Sequence, residues 1–502
     1  MRNLLRCQRG STAFATGIAL VPLIGVVALG AEAGSWYVTR KHAQNAADSG
    51  AYSGALRLAC TIAGASCDAQ SVDYRGKEFA AQNGFCNSSP KDSTPYPDSQ
   101  CPPSLPTRVS RAVQIDIGTY SGGTFTTPPT GTGNAVRARV SQQQPAYLSA
   151  VLGFLTINIP AQAIALVQLP SKVCALALGP NPNGGGALKI SGNSSNNGTG
   201  CPLMSDYSVQ FASTPSFTPP DSGWAVFGAT GCSPNSTCSN VSVPHNYFMP
   251  PALDPLQGLQ TASFNNTFTS TTITGNVTPV QSTCPASAPA GSRCFPINPN
   301  TASTAYKIPN VSNGDYYYCS ATTQATYYFN TSITVNNGGT FACNPGSPVR
   351  TYFKSGITVN GGTVILAAGT YFSNGDVNLG GTVTGTNVTL VLLGNSKFTI
   401  NGGTVNLSAP ATNNFSSSLN GVLIDDQSTA AVTINGNGAV RLAGAMYFPK
   451  ADVSFGGTAQ PTNTTCSQVI AKTLNMTGGG YLSTDGCAPT VIAYTQVVSL
   501  VQ

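Results

Sequence analysis

Histidine is almost absent from this sequence: His42 and His245 are the two among 502 residues. Charge is scarce as well, at 8% Asp, Glu, Lys and Arg, against roughly 25% in ordinary soluble domains. So few histidines argue against a Ser-His-Asp site. With no Cys-x-x-Cys pair they also leave no zinc-ligand spacing. Basic residues gather at Arg2, Arg6 and Arg9 and form no later cluster, so the net charge of +6 does not describe a nucleic-acid-binding face. No glycine-rich phrase has the strand-to-helix setting of a phosphate loop.

What is plentiful points elsewhere. There are 54 glycines and 35 prolines, many Ser, Thr and Asn, and 41% hydrophobic residues. That is too apolar for a disordered chain and suits a turn-rich, mainly β protein outside the cytoplasm. Of 15 cysteines, Cys7 precedes a long apolar run and the rest, Cys60 to Cys487, follow it. An even number on one side fits disulfides in an oxidising compartment. Near neighbours are Cys86 and Cys101, Cys232 and Cys238, Cys284 and Cys294, and Cys466 and Cys487, although spacing alone leaves connectivity open.

The apolar run is Ala13 to Ala31, without a charge and long enough to cross a bilayer as a helix. Pro22 is tolerated in such a helix when its freed carbonyl finds another partner, and Trp36 and Tyr37 fall where interfacial aromatics are expected. The reading is a retained anchor: N-terminus inside, bulk outside, residues 13–31 in the lipid bilayer. The alternative is a signal peptide cleaved after Ala31–Glu32–Ala33, giving a secreted chain that starts at Gly34.

Beyond the run, "RKHAQNAADSGAYSGALRLA" places Ala43, Ala47, Gly50 and Gly54 on one helical stripe. Gly30 and Gly34 form a second G-x-x-x-G. Such stripes let helices approach closely. The stripe therefore packs either on the chain's own downstream domain or on another copy or partner helix.

The segment from Arg9 to Ala59 resembles the N-terminal region of TadG-like proteins, associated with assembly of Flp (tight adherence) pili. Gly10, Pro22, Gly34, Tyr37, Gln44 to Asp48 and Gly54 carry the resemblance. Glu32 replaces the usual Asp, and Ser49 and Tyr52 replace alanines. Prepilin cleavage leaves Glu five residues after the cut glycine, but counting from Gly10 that position is Ala15, so the chain does not resemble a processed pilin. Many of these relatives carry a von Willebrand A-type domain. The nearest phrase to its metal motif, Asp426 to Ala430, lacks the second serine and the α/β alternation, so that domain and its metal are not expected. The resemblance implies a role in pilus assembly or surface adhesion, with pilus-assembly or pseudopilin partners.

The C-terminal half carries glycine corners at a near-constant period. Gly338, Gly361, Gly380 and Gly402 lie 23, 19 and 22 residues apart, and Gly436, Gly456 and Gly478 lie 20 and 22 apart. Short alternating β-branched runs between them predict a parallel β-helix, with an antiparallel sandwich as the rival. β-Helices of this kind include polysaccharide-cleaving enzymes, which gather carboxylates on one face. Here Asp376, Asp425, Asp426, Asp452 and Asp485 are spread over several coils, and adjacent Asp425 and Asp426 point to opposite faces of a strand.

The expected architecture is α+β with a mainly β C-terminal half. Residues 1–60 form the cytoplasmic tip, transmembrane helix and juxtamembrane helix. Residues 61–173 form a small α+β domain, 174–300 a disulfide-containing irregular or β region, 301–492 the β-helix, and 493–502 a closing strand or tail. The expected function is a non-catalytic inner-membrane protein without cofactor or metal. The alternative is a β-helix enzyme or binder acting on surface glycans.

Overall fold

The computed structural model describes the chain except residues 1–7, 64–68, 88–95, 129–132, 148–149, 151–152, 154, 169–170, 183, 192–194, 198–199, 219–222, 263, 265–274, 300–303, 321–324, 344–348, 463–464 and 502, together with the side chains of 8–14, 21, 22, 25, 195–197, 218, 275, 304 and 438. Cys7 therefore lies outside the described residues. The chain forms two compact units, residues 1–169 with 496–502, and residues 170–495.

In the first unit, helix α1 (Gln8–Ala63) is followed by α2 (Val72–Gln82). Ser71 caps α2 by accepting a hydrogen bond from the Tyr74 N–H at 3.1 Å, which satisfies one of the donors a helix start leaves unpaired. The sheet contains β1 (Ser110–Ser121), β2 (Thr124–Thr126), β3 (Ala135–Pro145), β4 (Thr156–Val167) and a C-terminal strand, Val498–Leu500, in the order β2-β1-β3-β4-C-terminal strand. All neighbours are antiparallel. The alternation of β3 sends Val136, Ala138 and Val140 into the core, while Arg137 and Arg139 pair outside with Asp116 at 3.0 and 2.8 Å.

The core of this unit is built from small residues. Ala43, Ala46, Ala47, Ala51 and Ala55 of α1 are fully buried with Ala163 and Ala165 of β4. A Cβ added at Gly50 would lie 2.9 Å from the Gly76 carbonyl oxygen, and one at Gly54 would lie 2.9 Å from Val136 Cγ1. Close backbone approach thus takes the place of large side chains.

The second unit is a parallel β-solenoid. Ile333, Val335 and Asn336 stand in register with Ile357, Val359 and Asn360 on the next coil, and Thr340, Thr363, Thr382 and Thr404 form one column. In the recurrent Gly-Gly-Thr phrase the two glycines have different duties. At Gly338 and Gly361 φ is 75° and 74°, a region costly for side chains. The following glycines stack on one another: a Cβ at Gly381 would meet the Gly362 oxygen at 2.4 Å, and one at Gly403 the Gly381 oxygen at 2.4 Å.

The coils do not stack in chain order. The strand Ser467–Thr477 pairs with Ala175–Ala177 and Leu188–Ser191. These pair in turn with Pro202–Ser205 and Ser208–Phe211, and then come Ala225–Gly228 and His245–Asn246. Residues 175–246, within the region expected as irregular or β, therefore extend the solenoid beyond its last coil. The chain enters and leaves the unit side by side, with Ala493–Thr495 antiparallel to Ser171–Val173.

A strap, residues 252–262 with Phe264, runs along an outer face of the stack. The column beneath it includes Phe372, Val391, Asp425, Tyr447, Ile470 and Leu176 in register, each 0–1% exposed. Ala252, Asp254 and Gln260 of the strap bond to Asp206 and Tyr447. Phe264 meets Phe372 at 6.5 Å and Phe415 at 5.8 Å.

The four near-neighbour cysteine pairs are disulfides. Cys174–Cys201 and Cys319–Cys343 are bridged as well, and Cys60 is also disulfide-bonded.

Candidate functional site

Helix α1 changes character along its length. From Ala43 onward its small-residue stripe is the buried core of the first unit, whereas Leu23, Val26, Val27 and Leu29 are 60–72% exposed and Ile18 and Ile24 are similar. Among the described residues no helix is long and apolar enough to cross a membrane. The span expected over 13–31 includes residues 13, 14, 21, 22 and 25, whose side chains lie outside the described residues.

The six small residues expected to pack helices divide into two groups. Ala43, Ala47, Gly50 and Gly54 face the chain's own α2 and sheet, so this part of the stripe is not available to a second copy or partner helix, one of the two occupants left open by its sequence. Nothing lies within 4 Å of a Cβ added at Gly30 or Gly34. Tyr37 is exposed beside them, with Lys41 Nζ 5.6 Å from its ring centre.

The acidic residues of the solenoid are not gathered into an open cleft. Asp376 accepts from the Lys397 N–H at 2.9 Å, Asp452 accepts from Thr473 Oγ1 at 2.7 Å, and Asp485 is exposed on another coil. Asp425 and Asp426 are both fully buried. Asp425 points under the strap, in register with Tyr447, and accepts from Gln427 Nε2 at 2.6 Å. Asp426 accepts from the Ser428 N–H at 2.9 Å. One oxygen of each carboxylate is buried without a partner. Burial pushes both carboxyls up to about 7; Gln427 and Lys450 oppose this at Asp425, while at Asp426 the Ser428 bond opposes it and the Asp425 charge adds to it.

Asp254 of the strap and Asp206 beneath it are two carboxylates that sequence reading missed. Tyr447 donates to Asp254 Oδ2 at 2.6 Å, and Gln260 Nε2 donates to Tyr447 at 2.9 Å. Asp206 accepts from the Ala252 N–H at 2.7 Å; burial raises it to about 7, against that bond and with help from Asp254. Asp254 is raised by burial, its bonds notwithstanding. This arrangement ties a strap to the coil beside Asp425, and neither Asp425 nor Asp426 has a solvent-exposed oxygen for a substrate. Among the described residues no three His, Cys, Asp or Glu side chains gather to hold a metal. His245 stacks on Tyr247 at 5.4 Å, and His42 is exposed on α1.

Comparison with known families bears on the first unit. Residues 10–57 match the Flp pilus-assembly TadE/G-like family, Tad, and residues 53–165 match the Tad-like Flp pilus-assembly family, Tad_C. The two matches run from α1 to within two residues of the end of β4 and confirm the resemblance seen at the N-terminus. No curated protein matches the chain. A solved structure, the competence-associated pilin ComZ from Thermus thermophilus, aligns over 78% of this chain and 88% of its own at 9% identity, with a TM-score of 0.20. That likeness is too weak to carry an argument.

Proposed function

We propose that this protein, Tad-like over residues 10–165, is a membrane-anchored, extracytoplasmic structural component of Flp-type pilus assembly. Residues 13–31 span the inner membrane, the N-terminus is cytoplasmic, and the chain from residue 32 onward lies outside. The observation that carries the reading is the exposed apolar ridge from Ile18 to Leu29, continuous with a helix whose later half is the core of a folded unit. Contiguous apolar surface of this size marks a membrane or protein contact. The uncharged stretch rises about 28 Å as a helix, close to the ~30 Å of a bilayer's hydrocarbon core. Among the described residues, the Cys86–Cys101 disulfide of the first unit and five disulfides of the second support an oxidising compartment.

Pilus-assembly or pilin-like proteins are the proposed partners, with Gly30 and Gly34 as an open small-residue patch for helix contact. The role is scaffolding and not catalysis, a reading supported by the complete burial of Asp425 and Asp426. The test is Ile24→Lys with Val27→Lys in a bacterium that assembles such pili. The variant is expected to leave the membrane fraction and pili to be lost. Full membrane retention would sink the anchor, and normal piliation without the chain would sink the pilus role.

One observation favours a second reading, glycan binding. Thr334, Thr358, Asn378, Thr399 and Thr433 form an uncharged outward column on the coil stack, repeating about every 4.8 Å. Glycan pull-down and depolymerisation assays separate the readings. Turnover abolished by Asp425→Ala or Asp426→Ala would replace scaffolding with catalysis.

A further inference from the structure

The connection between β3 and β4, residues 146–155, reads AYLSAVLGFL, without a charge. It caps a hairpin whose last paired residues are Pro145 and Thr156. Tyr147 and Leu155 at its two ends are 78% and 65% exposed. A water-facing turn is ordinarily polar, with Gly, Asn, Asp or Ser; this one has the composition of a buried segment.

Helix α1 fixes where the tip lies. Gly54 packs on Val136, Thr39 Oγ1 donates to Gln144 Oε1 at 3.4 Å, and the Tyr147 N–H donates to Glu32 Oε1 at 2.7 Å. From residue 54 back to 32 the helix travels about 33 Å. From 136 to 147 the strand travels about 36 Å. Helix and hairpin therefore run side by side and end level at Glu32, the first charged residue after the uncharged stretch 13–31.

We infer that Tyr147 and Leu155, the described ends of the β3–β4 connection, form a second membrane contact and enter the phospholipid headgroup layer beside Trp36 and Tyr37. The inference rests on the proposed anchor. A helix alone leaves its domain able to tilt and rotate about the exit point; a second apolar contact on the hairpin holds α2 and the sheet in one orientation to the membrane. Tyr suits this place because it has an apolar body and a polar tip.

The test uses the full chain carrying Cys7→Ser, native disulfides intact, with a fluorophore on one introduced cysteine at a time: Leu155→Cys, Val38→Cys or Thr124→Cys. Position 38 is exposed just beyond Trp36 and Tyr37. Position 124 is the first residue of β2, next to the β1–β2 turn at the opposite end of the sheet. In vesicles of phosphatidylethanolamine and phosphatidylglycerol doped with a headgroup-level spin-labelled lipid, the label at 155 is expected to be quenched as strongly as that at 38, and several-fold more than that at 124, with blue-shifted emission. Quenching at 155 no greater than at 124, in protein that still floats with the vesicles, overturns the inference and leaves the anchor standing. Protein that fails to float overturns both.

Discussion

The two carboxylates sealed in the solenoid give an unusual pH dependence. Asp425 is raised by burial from an ordinary 3.8 to about 7, a difference worth about 4 kcal/mol between its protonated and ionised forms. Because the folded pKa lies above the unfolded one, this contribution is full below about pH 4 and is lost as pH rises through about 7. Asp426 and Asp206 have the same sign, so the solenoid weakens from mildly acidic to mildly alkaline pH. Asp425→Asn removes the ionisation, keeps Oδ1 for Gln427 and relieves the charge facing Asp426. At about pH 8 the variant is expected to be more stable than the natural chain by about 1–4 kcal/mol, the lower values reflecting coupling between the two groups. Below about pH 4 the two should be close. Trp224, 2% exposed in the second unit, reports unfolding in guanidinium once Trp36→Phe removes the other emitter. Parallel pH profiles for the two chains, or a variant less stable at the higher pH, would refute the reasoning.

Further outcomes follow from the same geometry. Gly50→Leu drives a side chain against the Gly76 backbone and should cost the first unit about 2 kcal/mol or more, read as a lower thermal midpoint. Gly30→Leu, with open space around it, should stay within about 0.5 kcal/mol. Removing the Cys174–Cys201 bridge, whose loop spans 27 residues, should lower solenoid stability by about 3 kcal/mol in denaturant titrations. Each lysine placed in the exposed ridge, as in Val27→Lys, should oppose membrane insertion by about 2.5–3.5 kcal/mol, seen as a shift from membrane to soluble fraction.

Much of the solenoid was legible because its corners repeat. Gly-Gly-Thr, preceded by Asn in several coils, recurs where the chain turns and must admit the coil below, so period and phrase coincide. The coils of residues 175–246 lack that phrase, and nothing in a period tells in which order coils stack; their place after Ser467–Thr477 was therefore hidden. A signal was present in "CALAL" and "VLIDD", continuous apolar runs instead of alternating ones, which mark strands covered on both faces. Asp254 lies 193 residues from Tyr447 and Asp206 lies 46 from Ala252, beyond the reach of any local pattern. On α1 the same G-x-x-x-G spacing occurs twice with opposite outcomes. Gly50 and Gly54 are filled by a domain the chain supplies later, while Gly30 and Gly34 are left open.

The most direct test is intact-mass spectrometry of the full chain recovered from carbonate-washed membranes. A mass that includes residues 13–31, found in the pellet, is the expected result. A soluble chain beginning at Gly34 would contradict the anchor, and with it the membrane-facing orientation of the first unit.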